Sequence, residues 1–151
     1  MDRIIEKVHF DMPVQPKATR VAAYARVSSG KDAMLHSLSA QISYYSEMIQ
    51  SRPGWLYAGV YSDEALTGTK ENRRGFQALL EDCRAGKIDM VIVKSISRLA
   101  RNTVTLLETV RELRSYGVDV YFEEQNIHTL SSEGELMLTI LASYAQEESL
   151  S

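Results

Sequence analysis

Apolar positions along the chain change period repeatedly, and each change marks an element. Arg20 to Val27 is a short run with Val21, Ala22, Ala23 and Ala25, which suits a buried strand. Leu38, Ile42, Tyr45 and Ile49 then recur at helical spacing, and Pro53-Gly54 ends that helix. Trp55 to Ser62 reads as a second strand. Asp63 to Arg74 is polar and aperiodic, contains Gly68, and predicts a mobile loop. Phe76, Leu79, Leu80 and Cys83 form a helical stripe that stops at Gly86. Asp89 to Lys94, around Met90-Val91-Ile92-Val93, is a third buried strand. Val104, Leu107, Val110 and Leu113 mark a helix closed by Gly117, and Val118 to Phe122 is a fourth strand. Gln125-Asn126 predicts a turn, after which Ile127 to Leu130 folds back as a short edge strand. Ser132 and Glu135 have the spacing of a capping box. The helix they open carries Leu136, Met137, Ile140, Leu141 and Tyr144 and runs toward Ser151 without a stop signal.

This alternation predicts an α/β fold: a three-layer α/β/α domain whose mostly parallel sheet has an antiparallel edge strand, followed by the start of a long C-terminal helix. Residues 1–19, with Pro13 and Pro16, read as a flexible leader. Residues 20–151 read as one domain, cut within the long helix. In parallel sheets, sites form at the carboxyl ends of strands. Ser28, Asp63 and the segment from Ser95 to Arg101 all follow strands, so they are expected to share one edge.

Composition narrows the function classes. No apolar run approaches the roughly 18 to 20 residues of a membrane span. Cys83 is the sole cysteine, which rules out an internal disulfide and fits a cytoplasmic protein. The net charge of −3 is unlike that of a free-standing nucleic-acid binder, so any phosphate contact must rest on local basic residues.

Several familiar chemistries are missing. Gly30-Lys31 is no phosphate loop, because Asp32 stands where Ser or Thr is needed and Ala25 where the first glycine belongs. His9, His36 and His128 lack metal-ligand spacing. His36, in a loop-like setting, is a poor base for Ser28. What remains is a serine among arginines. Tyr24, Arg26 and Ser28 alternate along a strand and so project to one side. A guanidinium beside a hydroxyl suits attack on a phosphoryl group. Arg98 and Arg101, three apart before a helix, would point together and add two more cations. Read singly, these pieces are equally a loop serine and a solvated basic turn.

In series they resemble the resolvase/invertase serine recombinases, and the large serine recombinase/integrase subgroup in particular. Tyr24-Ala25-Arg26-Val27-Ser28 is similar to the nucleophile motif, and Ser37-Leu38-Ser39-Ala40-Gln41 to the Ser-Leu-x-x-Gln helix start. Asp63 to Gly68 with Asn72 to Phe76 resembles the mobile loop and its arginine. Val93 to Asn102 resembles the arginine signature, and Ala145 to Ser149 the start of the long helix. The resemblance implies that Ser28 is the nucleophile and that Arg26, Arg98 and Arg101 hold the scissile phosphate, with Arg73 joining them. It implies that Tyr24, Gln41 and Asp63 order the site. Ser97 departs from the aspartate of small resolvases and is like the serine of many large members. A further arginine used by small members would, by the resemblance, lie later on the long helix, beyond Ser151.

The same resemblance implies strand cleavage, exchange and religation through a 5'-phosphoserine, with no metal or cofactor. It implies double-stranded DNA as partner, bound weakly by this domain because recognition resides in further domains. It also implies a homodimer and a synaptic homotetramer. Two other classes compete. Asp63-Glu64 and Glu123-Glu124 follow strands and suit a metal-dependent nuclease. Alternatively, the domain is a non-catalytic oligomerisation module. Cys83, the pair Tyr44-Tyr45 and Met48 read as packing, and Glu123-Glu124 as a solvated strand end.

Overall fold

Val21, Ala22, Ala23 and the run Val91-Ile92-Val93 are inaccessible to solvent, as expected where apolar side chains on both faces of a strand must be covered. The structure is a computed structural model that describes residues 17–28, 31–65, 73–100 and 102–150. In chain order the elements are β1 (Thr19–Ser28), α1 (Lys31–Ser51), β2 (Trp55–Ala65), α2 (Arg74–Arg84), β3 (Met90–Val93), α3 (Ile96–Leu99), α4 (Thr103–Ser115), β4 (Asp119–Phe122), β5 (Ile127–His128) and α5 (Ser132–Leu150). The leader expected over residues 1–19 lies outside the described residues as far as residue 16, and Thr19 already belongs to β1.

The sheet has the order β2-β1-β3-β4-β5. The first four strands are parallel and β5 runs antiparallel to β4. One face packs on α1, where Tyr45 and Ile49 meet Val21, Ala23, Met90 and Ile92. The other face packs on α2, α4 and α5 through Phe76, Leu79, Val110, Leu113 and Met137. This is the α/β/α sandwich that the periodicity predicted.

Two sequence expectations need correction here. Asp63, Glu64 and Ala65 belong to β2, not to a loop, because β2 stays in register with β1 as far as Ser28 opposite Ala65. The central part of the expected loop, residues 66–72, lies outside the described residues. At the start of α5 the cap is Ser131 rather than Ser132. Its Oγ accepts from the Gly134 amide at 3.1 Å, while Glu135 pairs with Arg114 at 2.7 Å instead of closing a capping box.

The two ends of the sheet are built differently. At the amino ends, each helix returns to its strand through a tight turn holding a glycine at positive φ: Gly54 (84°), Gly86 (78°) and Gly117 (76°). Across that end Arg20 grips Asp89 through a bidentate pair of 2.9 Å bonds, joining the starts of β1 and β3. The carboxyl ends carry the polar segments. The strand order reverses direction between β1 and β3, and at such a switch point a crevice opens beyond the carboxyl ends.

Candidate active site

At this switch point the end of β1 lies beside the segment that follows β3. Arg26, near the end of β1, is half-buried. After β3, Lys94 and Ser95 lead into α3, a single turn that carries Arg98. Arg98 Nη1 donates to the Arg26 carbonyl at 3.2 Å, so the arginine turn is tied to the strand that ends in Ser28. The Ser28 backbone is the last residue of β1, but its side chain lies outside the described residues, as does the whole of Arg101. The helical face expected for Arg98 and Arg101 falls in part outside the described residues, and α3 itself ends before Arg101. Ala100 is extended (φ −150°, ψ 153°) and ends α3. A new helix then starts at Thr103, where the Asn102 side chain accepts from the Thr105 amide at 2.8 Å. An extended residue therefore separates Arg98 from the helix that follows Arg101.

Behind the switch point, on the α2 side of the sheet, stands a tightly bonded group. Asp63 is buried on β2, in register with Arg26. Its carboxylate accepts from the Tyr24 hydroxyl at 2.7 Å and from the amides of Gly75 and Phe76 at 2.7 and 2.9 Å. The N-cap residue of α2, Arg73, supplies no side-chain cap, so a carboxylate from the neighbouring strand satisfies the helix start in its place. The approach is so close that a side chain at Gly75 would put its Cβ 2.2 Å from the Ser62 carbonyl. Burial first, and then the bond to Asp63, push the Tyr24 hydroxyl up to about 12, so it stays a neutral donor.

Arg73 completes this group. Its guanidinium lies 4.0 Å from the centre of the Phe76 ring and donates to the Leu99 carbonyl at 2.9 Å, at the end of the arginine turn. Its Nε is buried without a hydrogen-bond partner among the described residues. Arg73 thus touches both the Tyr24–Asp63 unit and the segment that carries Arg98.

Gln41 is not part of this group. It sits on α1, across the sheet, and its Nε2 donates to Ser37 at 3.3 Å. It lines a cavity of about 510 Å³ with Tyr44, Lys94, Glu123 and Glu124. In that cavity the Glu123 carboxylate accepts from both Tyr44 and Tyr45, at 3.0 and 2.7 Å. The sequence reading of Glu123 as a solvated strand end missed these contacts, whereas Tyr45 is core as expected. Ser97 Oγ lies 3.0 Å from Ser95 Oγ, so this serine is bonded to its own turn. Among the described residues no group of three acidic, histidine or cysteine side chains gathers to hold a metal ion.

A family model described as "Resolvase, N terminal domain" matches residues 21–150. The chain belongs to the resolvase family. A resolvase/recombinase of Pseudomonas putida is 30% identical over 87% of this chain and 66% of its own length. Among solved structures, a resolvase family site-specific recombinase from Streptococcus pneumoniae superposes with a TM-score of 0.70 at 32% identity, covering 86% of this chain and 87% of that one. The N-terminal catalytic domain of TP901-1 integrase gives 0.62 at 30% identity, covering 85% and 95%. This chain therefore spans just under two thirds of the curated relative's length and nearly all of a catalytic domain excised from an integrase. The resolvase fold, its five-stranded sheet and its antiparallel edge are those expected from the sequence.

Proposed function

We propose that this chain is the catalytic domain of a serine site-specific recombinase, and that Ser28 is its nucleophile. The Ser28 Oγ attacks the scissile phosphorus, a phosphoserine ester forms, and the bond from phosphorus to the 3' oxygen breaks. That oxygen leaves as a 3'-hydroxyl after taking up a proton. The ester retains the energy of the broken bond, so religation to a new partner strand needs neither ATP nor metal. Arg26, Arg98 and Arg101 neutralise charge on the phosphate oxygens, which is the main task in metal-free phosphoryl transfer. Tyr24, Asp63 and Arg73 hold the strand end and the arginine turn at fixed spacing, and Gln41 is assigned an ordering role from its separate position on α1.

The observation that carries this reading is the bond from Arg98 to the Arg26 carbonyl, at the switch point where β1 ends in Ser28. Double-stranded DNA is the substrate, and the affinity comes mainly from parts of the protein other than this acidic domain. The exposed Leu136 and Ile140 on α5 support pairing of subunits through the long helix, first as a dimer and then as a synaptic tetramer. The test is a nicked DNA substrate and the full-length protein, with and without EDTA. The wild type should form a covalent protein–DNA adduct under both conditions, and Ser28→Ala should form none while still binding DNA. An adduct in Ser28→Ala moves the nucleophile elsewhere. Cleavage that needs Mg²⁺ and leaves no adduct favours a nuclease.

A further inference from the structure

Ser28 is followed after only two residues by α1, so the placement of that helix constrains how the chain leaves β1. The core holds α1 in its second half, through Tyr45 and Ile49. Nearer the site the packing thins: Ile42 is 37% exposed, and Ser37, Ser39 and Ala40 are exposed. Among the described residues, the side-chain bonds that tie this region of α1 to the sheet converge on one side chain. Glu123 receives the Tyr44 hydroxyl on one carboxylate oxygen and the Tyr45 hydroxyl on the other.

Glu123 is itself fixed to the arginine segment. Its amide donates to the Val93 carbonyl at 2.9 Å, and the next amide, of Glu124, donates to Lys94 at 2.9 Å. Gln125 accepts from the Ile96 amide, at the first residue of the turn that carries Arg98, at 3.3 Å. The segment from Glu123 to Gln125 is thus laced to the chain between β3 and Arg98. Its first side chain reaches across to the helix that leaves Ser28.

We propose that Glu123 is a positioning residue, which clamps α1 through Tyr44 and Tyr45 and so sets the spacing between the Ser28 exit with Gln41 and the arginine turn with Arg98. The inference rests on the recombinase reading above. Glu123 acts through other residues and touches no reacting atom. An error of about 1 Å in a reacting geometry costs on the order of 10²-fold in rate, so a loosened clamp shows in the bound-state rate before it shows in affinity.

The experiment uses the full-length protein on a nicked substrate and reads single-turnover adduct formation at saturating DNA, DNA affinity and thermal unfolding. Glu123→Ala should slow adduct formation on the order of 10- to 100-fold with DNA affinity unchanged. Glu123→Gln, which keeps an acceptor, should recover part of the rate. In a Tyr44→Phe/Tyr45→Phe background, adding Glu123→Ala should cause little further loss, because the clamp is already open. Arg20→Ala, at the far end of the sheet, serves as the control for stability alone and should leave the rate near wild type. Additive losses, a loss confined to DNA affinity, or an equal slowing in Arg20→Ala would each overturn the clamp. Should the wild type form no adduct at all, the recombinase reading fails. Hydrogen exchange in α1 still decides the clamp, because it should quicken in Glu123→Ala, and unchanged exchange would refute it.

Discussion

Three donors converge on the carboxylate of Asp63, and two of them are amides that α2 cannot satisfy from within. Asparagine offers one acceptor where Asp63 offers two, and its amide would face the Tyr24 hydroxyl or a backbone N–H. Asp63→Asn should therefore lower stability by about 1–3 kcal/mol, the usual cost of leaving a buried polar group unmatched. The urea midpoint should fall with the slope unchanged. A variant as stable as wild type but unable to cleave would instead place Asp63 in the chemistry. Arg98 is expected to behave in the opposite way. Arg98→Lys retains a charge and loses the planar fork, so it should melt within a few degrees of wild type while adduct formation falls by roughly 10²–10³. A large drop in melting temperature would make Arg98 structural. Tyr24, Arg26 and Arg98 were legible as a set because a strand period and a run of arginines are local signals. Asp63 was read as a loop residue because nothing local announces that a polar side chain is buried by donors from a strand and a helix. Glu123 was hidden for the same reason: its two partners lie 78 and 79 residues away in sequence.

At the scale of elements, α2 depends on closeness and the amino-end turns depend on handedness, and glycine substitutions separate the two. Gly75→Ala drives a methyl into the Ser62 carbonyl and must push α2 off β2. It should cost more than the 1–3 kcal/mol typical of overpacking and disturb Tyr24 as well. Gly117→Ala meets nothing within 4 Å and suffers only the strain of φ 76°, about 1–2 kcal/mol. Thermal unfolding of the pair checks the order, and equal losses would contradict it. The ion pair between β1 and β3 adds a pH dependence. Arg20, chiefly through its side-chain hydrogen bonds, lowers Asp89 from 3.8 to about 2. A carboxylate held below its unfolded value contributes stability that is fully present above about pH 4 and lost as pH falls toward 2. Acid unfolding of Arg20→Ala should therefore converge with wild type at the bottom of that window. Helices and strands of this kind were readable from apolar period, whereas α3 was not. A four-residue turn barely completes one helical period, too little for a repeat to show, and the extended Ala100 that separates it from α4 leaves no mark in composition.

Across the whole molecule the charge is acidic, with 20 Asp and Glu against 17 Lys and Arg. With a net charge of −3, the isolated chain should bind DNA weakly, without sequence preference and with steep loss in salt. A titration that finds tight, site-specific binding by residues 1–151 would contradict this. The three glycine turns have a practical consequence. The chemistry-bearing segments crowd one rim, and the described part of the opposite rim carries the glycine turns and the Arg20–Asp89 pair, which makes it a natural place for an optical reporter. Lys87 is exposed beside the Gly86 turn, and the four residues of β3, at about 3.3 Å each, place roughly 13 Å of strand between it and the arginine segment. The native thiol would not compete for a dye, because Cys83 is fully buried and burial pushes it up to about 12. Lys87→Cys thus offers a single reactive handle from which the movements of the working rim can be watched without touching it.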